Sequence, residues 1–129
     1  MSLELTYLLA SAALAFVYMM TQAGAYRLQH GLVDRDPNRD VEERPNMLTA
    51  RAGRALRNFQ ETYPIFIVLV VVVEFTGRSG LLTQWGAIVW FWARAVYLPV
   101  YVAGLGRVRS AIWAVSAAGL ALILAGILI

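Results

Sequence analysis

With 129 residues, 60% of them hydrophobic and only 15% charged, the chain is too apolar for a small water-soluble domain, which is usually about half apolar and about a quarter charged. It has no cysteine and one histidine, His30, which excludes a disulfide framework, a thiolate metal site and a cysteine nucleophile and leaves no basis for a metal centre. The net charge of +3 comes from 11 basic residues, all arginine, and most fall between apolar runs rather than in one basic patch, so no nucleic-acid partner is expected.

Residues 5–26 carry no formal charge and are long enough for a helix across a bilayer core of about 30 Å. The stretch before them holds Glu4 and no positive residue, unlike a signal peptide, so this segment reads as a retained first span. Residues 34–44 alternate acids and arginines around Pro37 and Asn38 and read as a solvated hinge, with His30 beside it as a surface residue. Residues 62–73 and 79–93 are too short to cross alone, so each span must extend into a charged flank. Residues 110–129 form an uncharged last span rich in alanine. The reading is one all-α integral membrane domain over residues 1–129, a bundle of four transmembrane helices at about 4–27, 47–75, 82–104 and 109–129.

The first loop region holds Arg27, Arg35, Arg39, Arg44 and Arg51 and the third holds Arg107 and Arg109, against Arg78 alone in the second. By the positive-inside rule, loops one and three face the cytoplasm and both termini face away from it.

On a helix of about 100° per residue, Arg51, Arg54, Arg57, Asn58 and Glu61 share an arc of about 120°, with Leu56, Phe59, Tyr63, Phe66 and Ile67 opposite. An arginine or acid at mid-membrane costs roughly 2.5–3.5 kcal/mol, whereas a leucine returns about 0.3–0.6. The stripe must therefore face protein or a filled cavity. Trp90, Arg94, Tyr97 and Tyr101 share one face of the third span, where Pro99 predicts a kink between the two tyrosines. Glu61 stands one turn from Arg57 and is placed to neutralise it. Even so, Arg54, Arg57 and Arg94, with Arg109 at the boundary, outnumber it. The surplus calls for an anion that the chain does not supply.

The run Arg51-Ala52-Gly53-Arg54-Ala55-Leu56-Arg57-Asn58-Phe59-Gln60-Glu61, followed by Thr62-Tyr63-Pro64, resembles the second-span signature of the MAPEG family, membrane-associated proteins in eicosanoid and glutathione metabolism. The resemblance extends to Arg94, Tyr97 and Tyr101 and to the pair Arg109-Ser110. It implies a homotrimer of four-helix subunits with glutathione in a cleft between neighbours near the cytoplasmic side. Carried over by position, Arg57, Asn58 and Glu61 hold the tripeptide and Arg54 supports them. Arg94 adds positive charge, Tyr97 and Tyr101 line the cleft, and Arg27 reaches in from the first span. Arg109 meets the glutathione sulfur, with the Ser110 hydroxyl and Tyr101 beside it as the catalytic group.

The implied function is a membrane glutathione-dependent transferase or peroxidase that directs the thiolate at a lipophilic electrophile arriving from the bilayer. The expected setting is a bacterial inner membrane. Trp113 stands where some members carry tyrosine, and Tyr97 where prostaglandin-forming relatives carry histidine, so no eicosanoid product is implied. Two alternatives stay open: a non-catalytic scaffold of the same fold, and a small four-span transporter. The latter is disfavoured because residues 5–26 lack a carboxylate.

Overall fold

The computed structural model describes residues 1–41 and 43–129. Its four helices are α1 (Leu3–His30), α2 (Met47–Thr76), α3 (Leu81–Val102) and α4 (Gly106–Leu128). Loop one is residues 31–46, loop two 77–80 and loop three 103–105; loops one and three lie at the same end of the bundle. Three helices, α1, α2 and α4, are long and apolar enough to cross a membrane. α3 has 22 residues, about 33 Å at 1.5 Å per residue. Gln84, Arg94 and a high share of indole and phenol rings lower its mean hydropathy.

Local chemistry sets the helix ends. The Ser2 hydroxyl accepts from the Leu5 N–H at 3.1 Å and opens α1, while the Asn46 side chain accepts from the Thr49 N–H at 2.9 Å and opens α2. α2 stops where Gly77 takes a left-handed φ of 64° and the Arg78 N–H reaches back to the Val73 carbonyl. α1 runs on to His30, a turn beyond Arg27, because no breaker precedes Gly31. α4 begins at Gly106, so Arg109 and Ser110 sit one turn inside it rather than at its opening. α3 continues through Pro99 as one helix and ends at Val102. At its end the Ala103 N–H bonds to the Pro99 carbonyl at 3.0 Å.

α3 packs against α1, α2 and α4, whereas α1 and α4 do not pack together among the described residues. Two kinds of contact hold this arrangement. Between α1, α2 and α3 lies a column of rings: Phe66 stacks on Trp90 at 4.0 Å between centroids, Phe59 on Tyr18 at 4.5 Å, and all four are buried. Between α3 and α4 the backbones themselves meet. A Cβ on Gly119 would stand 2.8 Å from the Gly86 carbonyl oxygen and the Trp90 nitrogen. At the loop-two end the Glu4 carboxylate is fully buried and accepts from Ser79 Oγ at 2.8 and 3.0 Å and from Thr83 Oγ1 at 2.6 Å. These bonds fasten the start of α1 to the start of α3.

Gly119→Ala should push α3 and α4 apart, at about 1–3 kcal/mol for an overfilled contact. Its melting temperature in detergent should fall by several degrees. Gly24, with no atom within 4 Å of an added Cβ, should accept alanine with unchanged or raised stability. An unchanged Gly119→Ala melting temperature would show that the backbone contact does not limit stability.

Candidate functional site

The inner face of α2 is made of Ala52, Ala55, Phe59 and Phe66, all buried. That choice turns Arg54, Arg57 and Glu61 outward, where they are exposed on the surface of the single chain. α2 has 30 residues and rises about 45 Å, so counting back about 20 residues from its loop-two end reaches the Arg57 turn. Arg57 and Glu61 thus stand about one bilayer core's length from that end and are exposed on the single chain, with Asn58 half-buried beside them. Arg57 and Glu61 make no ion pair. Among the described residues Arg27 pairs with Asp34 at 2.8 Å, and His30 Nδ1 lies 3.2 Å from the Glu43 carboxylate. Asn58 is half-buried, and its Oδ1 has no hydrogen-bond partner among the described residues.

Tyr101 ties this stripe to α3 and α4. Its hydroxyl accepts from Arg54 Nε at 3.1 Å, and its ring lies 6.0 Å from the Arg54 guanidinium and 4.7 Å from that of Arg109. Arg109 is half-buried. Ser110 is exposed, and its hydroxyl donates to the Gly106 carbonyl of its own helix at 3.2 Å. Arg51 takes no part in the cluster. Its guanidinium donates to the Val102 carbonyl at 3.2 Å and packs on Gly104, whose φ is +80°. This arginine clamps the α3–α4 turn.

Arg94 and Tyr97 lie elsewhere. Both are buried in the bundle, and the Arg94 guanidinium sits over the rings of Tyr97 at 4.4 Å and Phe59 at 5.6 Å. None of its three nitrogens has a hydrogen-bond partner among the described residues. The Tyr18 hydroxyl donates to the Arg94 carbonyl at 2.6 Å. The face read along α3 therefore divides. Arg94 lies against Phe59 on the inner side of α2, Tyr97 is buried beside it, and Tyr101, one turn on, reaches the outer stripe.

Loop one is folded rather than merely solvated. Arg27 holds Asp34, and Gln29 bridges the Arg44 carbonyl and the Asn46 N–H, each at 2.9 Å. The His30 side chain is only 17% exposed, paired with Glu43 and packed on Tyr26 at 4.3 Å. The Arg39 guanidinium also lies over the Tyr26 ring, at 4.4 Å. Beneath them a cavity of about 780 Å³ opens between loop one, α1 and α2, with Arg54 and Arg57 in its wall. Guanidinium groups and the carboxylates of Asp34, Asp36 and Glu43 line it together, which suits a ligand carrying both signs of charge.

Gly104→Ala would force a side chain into the left-handed region, at about 1–3 kcal/mol, and bring its Cβ within 2.7 Å of the Arg51 guanidinium. Thermal unfolding in detergent should show a loss of several degrees. Adding Arg51→Ala should restore only part of it, because the backbone strain remains. Full restoration would place the whole effect in the clash.

A family model, described as the MAPEG family, matches residues 5–129. No curated protein and no solved structure matches the chain. Four helices, three of them apolar enough to span a membrane, agree with a family of membrane helical bundles. The match covers nearly the whole chain, which belongs to the MAPEG family.

Proposed function

We propose that the chain is a membrane glutathione transferase or peroxidase, in which a second copy covers the outer stripe of α2 and glutathione binds in the cleft so formed. Family membership supports glutathione-related chemistry in a membrane. The observation that carries the reading to this chain is the stripe itself. Arg54, Arg57 and Glu61 are exposed on one chain, and lipid is a poor neighbour for any of them. A homotrimer of the family kind covers such a face three times over. The arginine distribution supports loops one and three on the cytoplasmic side, so glutathione reaches the stripe from its own compartment, a bacterial cytoplasm in the setting proposed.

Glutathione brings two carboxylates and one ammonium, and the residues present fit that pattern. Glu61 is an acceptor for the ammonium, and Arg57 offers a carboxylate two parallel N–H donors. Asn58 Oδ1, buried and without a partner among the described residues, is an acceptor for a peptide N–H. Arg54 supports Arg57 from one turn away and is itself steadied by Tyr101. Arg27 and Tyr97 act around the ligand rather than on it, since one is paired with Asp34 and the other is buried. Arg94 supplies a fixed positive field from within the bundle.

The chemistry then rests on Arg109. A free thiol ionises near pH 8.5, and the thiolate is the nucleophile. A guanidinium stays charged and cannot take the proton back, so beside sulfur in a partly dry cleft it favours the ionised form. The Tyr101 hydroxyl and Ser110 flank that position. The thiolate attacks a lipophilic electrophile delivered from the bilayer.

Calorimetry of the purified protein in detergent should show glutathione binding, and mass measurement in mild detergent should show trimers. Monomers alone would remove the shared cleft, and a wild type without glutathione binding would leave the non-catalytic scaffold. Arg109→Ala should keep binding but lose turnover of an aryl halide by about 10²–10³-fold, the usual effect of removing one preorganised partner of developing charge. Its thiolate absorbance in the ultraviolet should fall with it. Full absorbance and full turnover in Arg109→Ala would move activation to another residue. Glu61→Gln should weaken binding while the protein still inserts, because an amide is easier to place in lipid than a carboxylate.

A further inference from the structure

Loop one forms one wall of the cavity that holds Arg54 and Arg57, and side chains from the end of α1 fasten it there. Arg27 donates to Asp34 at 2.8 Å, and Gln29 joins the Arg44 carbonyl to the Asn46 N–H, each at 2.9 Å. His30 Nδ1 lies 3.2 Å from the Glu43 carboxylate. The chain leaves α1 through Gly31 at a positive φ of 84°, with no atom within 4 Å of an added Cβ. That glycine gives the loop an uncrowded pivot.

One of these fastenings responds to pH near neutrality. The Gln29 amide does not ionise, and the Arg27 guanidinium stays charged at any accessible pH. His30 is the single histidine of a chain with no cysteine and no lysine. An imidazole is charged below about pH 6.5 and neutral above it. The groups that face this one carry both signs. From α1 come the Tyr26 ring, packed at 4.3 Å, and Arg27, already paired with Asp34. Loop one adds Asp36 and Glu43 against Arg35 and Arg39, and α2 adds Arg54 and Arg57. A positive imidazole is repelled by the arginines and drawn to Glu43. Coulomb energy falls with separation and with screening by water, and Glu43 is the charged group in contact, so attraction decides the sign. Imidazolium and carboxylate form a charge-assisted bond, whereas a neutral imidazole makes a weaker one.

We propose that His30 and Glu43 form a pH-sensitive clasp that holds loop one against the cavity and slows ligand entry to Arg57 as the pH falls. The loop's movement stands on these contacts, while the ligand it admits rests on the glutathione reading above. Above neutrality the clasp loosens, in the same direction of pH that turns a thiol into its reactive thiolate. The Glu43 side chain is 73% exposed, so water weakens the pair and the change expected is about threefold.

One measurement reads the loop and another reads the ligand. Arg39 lies over Tyr26 at 4.4 Å, so trypsin reaches the bond after Arg39 when the loop lifts, and cleavage tracks the open population. S-methylglutathione, whose sulfur carries no proton, removes the titration of the thiol from the association rate seen by stopped flow. Both rates are taken for the full chain in detergent, as ratios of wild type to Glu43→Gln at each pH, which cancels the protease's own pH profile. From pH 7.5 to 5.5 each ratio should fall about threefold. Ratios of His30→Gln to Glu43→Gln should stay constant, since neither variant keeps the charged pair.

Wild-type ratios that stay constant would overturn the clasp. Ratios that rise as the pH falls would hand the response to the arginines and overturn it equally. A cleavage ratio that follows pH beside a constant association ratio would overturn control of entry. A wild type that binds no S-methylglutathione but keeps the cleavage response would remove the glutathione reading and support the clasp.

Discussion

The energetics of a guanidinium in hydrocarbon govern most of what this chain does. All of its basic residues are arginine, a group that stays charged at any accessible pH and presents five donors in one plane. Hydrocarbon satisfies none of them. Most of the arginines therefore gather near loops one and three, where they can reach water, acids or carbonyl oxygens. Arg27 takes Asp34, Arg51 takes the Val102 carbonyl, and Arg54 takes the Tyr101 hydroxyl. The outer stripe of α2, with Arg57 and Glu61, stays exposed on the single chain.

Arg94 is the exception. It is fully buried and finds ring faces in place of acceptors. A desolvated cation–π contact is worth about 2 kcal/mol or more, against a desolvation penalty of several kcal/mol for the ion. Trp90 Nε1 and Asn58 Oδ1 are likewise buried without partners among the described residues. These atoms and the guanidinium form the least satisfied part of the interior, and all belong to α2 and α3. The glycine contacts between α3 and α4 and the ring column of α1, α2 and α3 surround them with well-packed material.

How far the sequence could be read depended on the kind of interaction involved. The four helices were legible because apolar length and uncharged flanks are local properties. The grouping of Arg54, Arg57, Asn58 and Glu61 was legible because a helix fixes angular spacing. Which way that face points was not. It depended on Phe59 and Phe66 finding Tyr18 and Trp90, partners from other helices. For the same reason Arg94 and Tyr101, neighbours on one helical face, ended in different surroundings. Tyr101 lies just beyond Pro99 and next to loop three, within reach of Arg54 and Arg109, while Arg94 faces the ring column. The folding of loop one was hidden because its pairs join residues whose separation follows no period. The Arg51 clamp had one cue, the glycine at 104, but glycine alone does not announce what will lie against it.

The Glu4 latch has a consequence for how the protein is made. Its partners, Ser79 and Thr83, lie 75 and 79 residues further along the chain. Synthesis proceeds from the amino end, so α1 reaches the bilayer before either hydroxyl exists. Until then the carboxylate must keep its water, which holds the head of α1 at the membrane surface. Only when the hairpin of α2 and α3 has entered can that end dry out and lock. The head of α1 can therefore complete these hydrogen bonds only after α3 has been made.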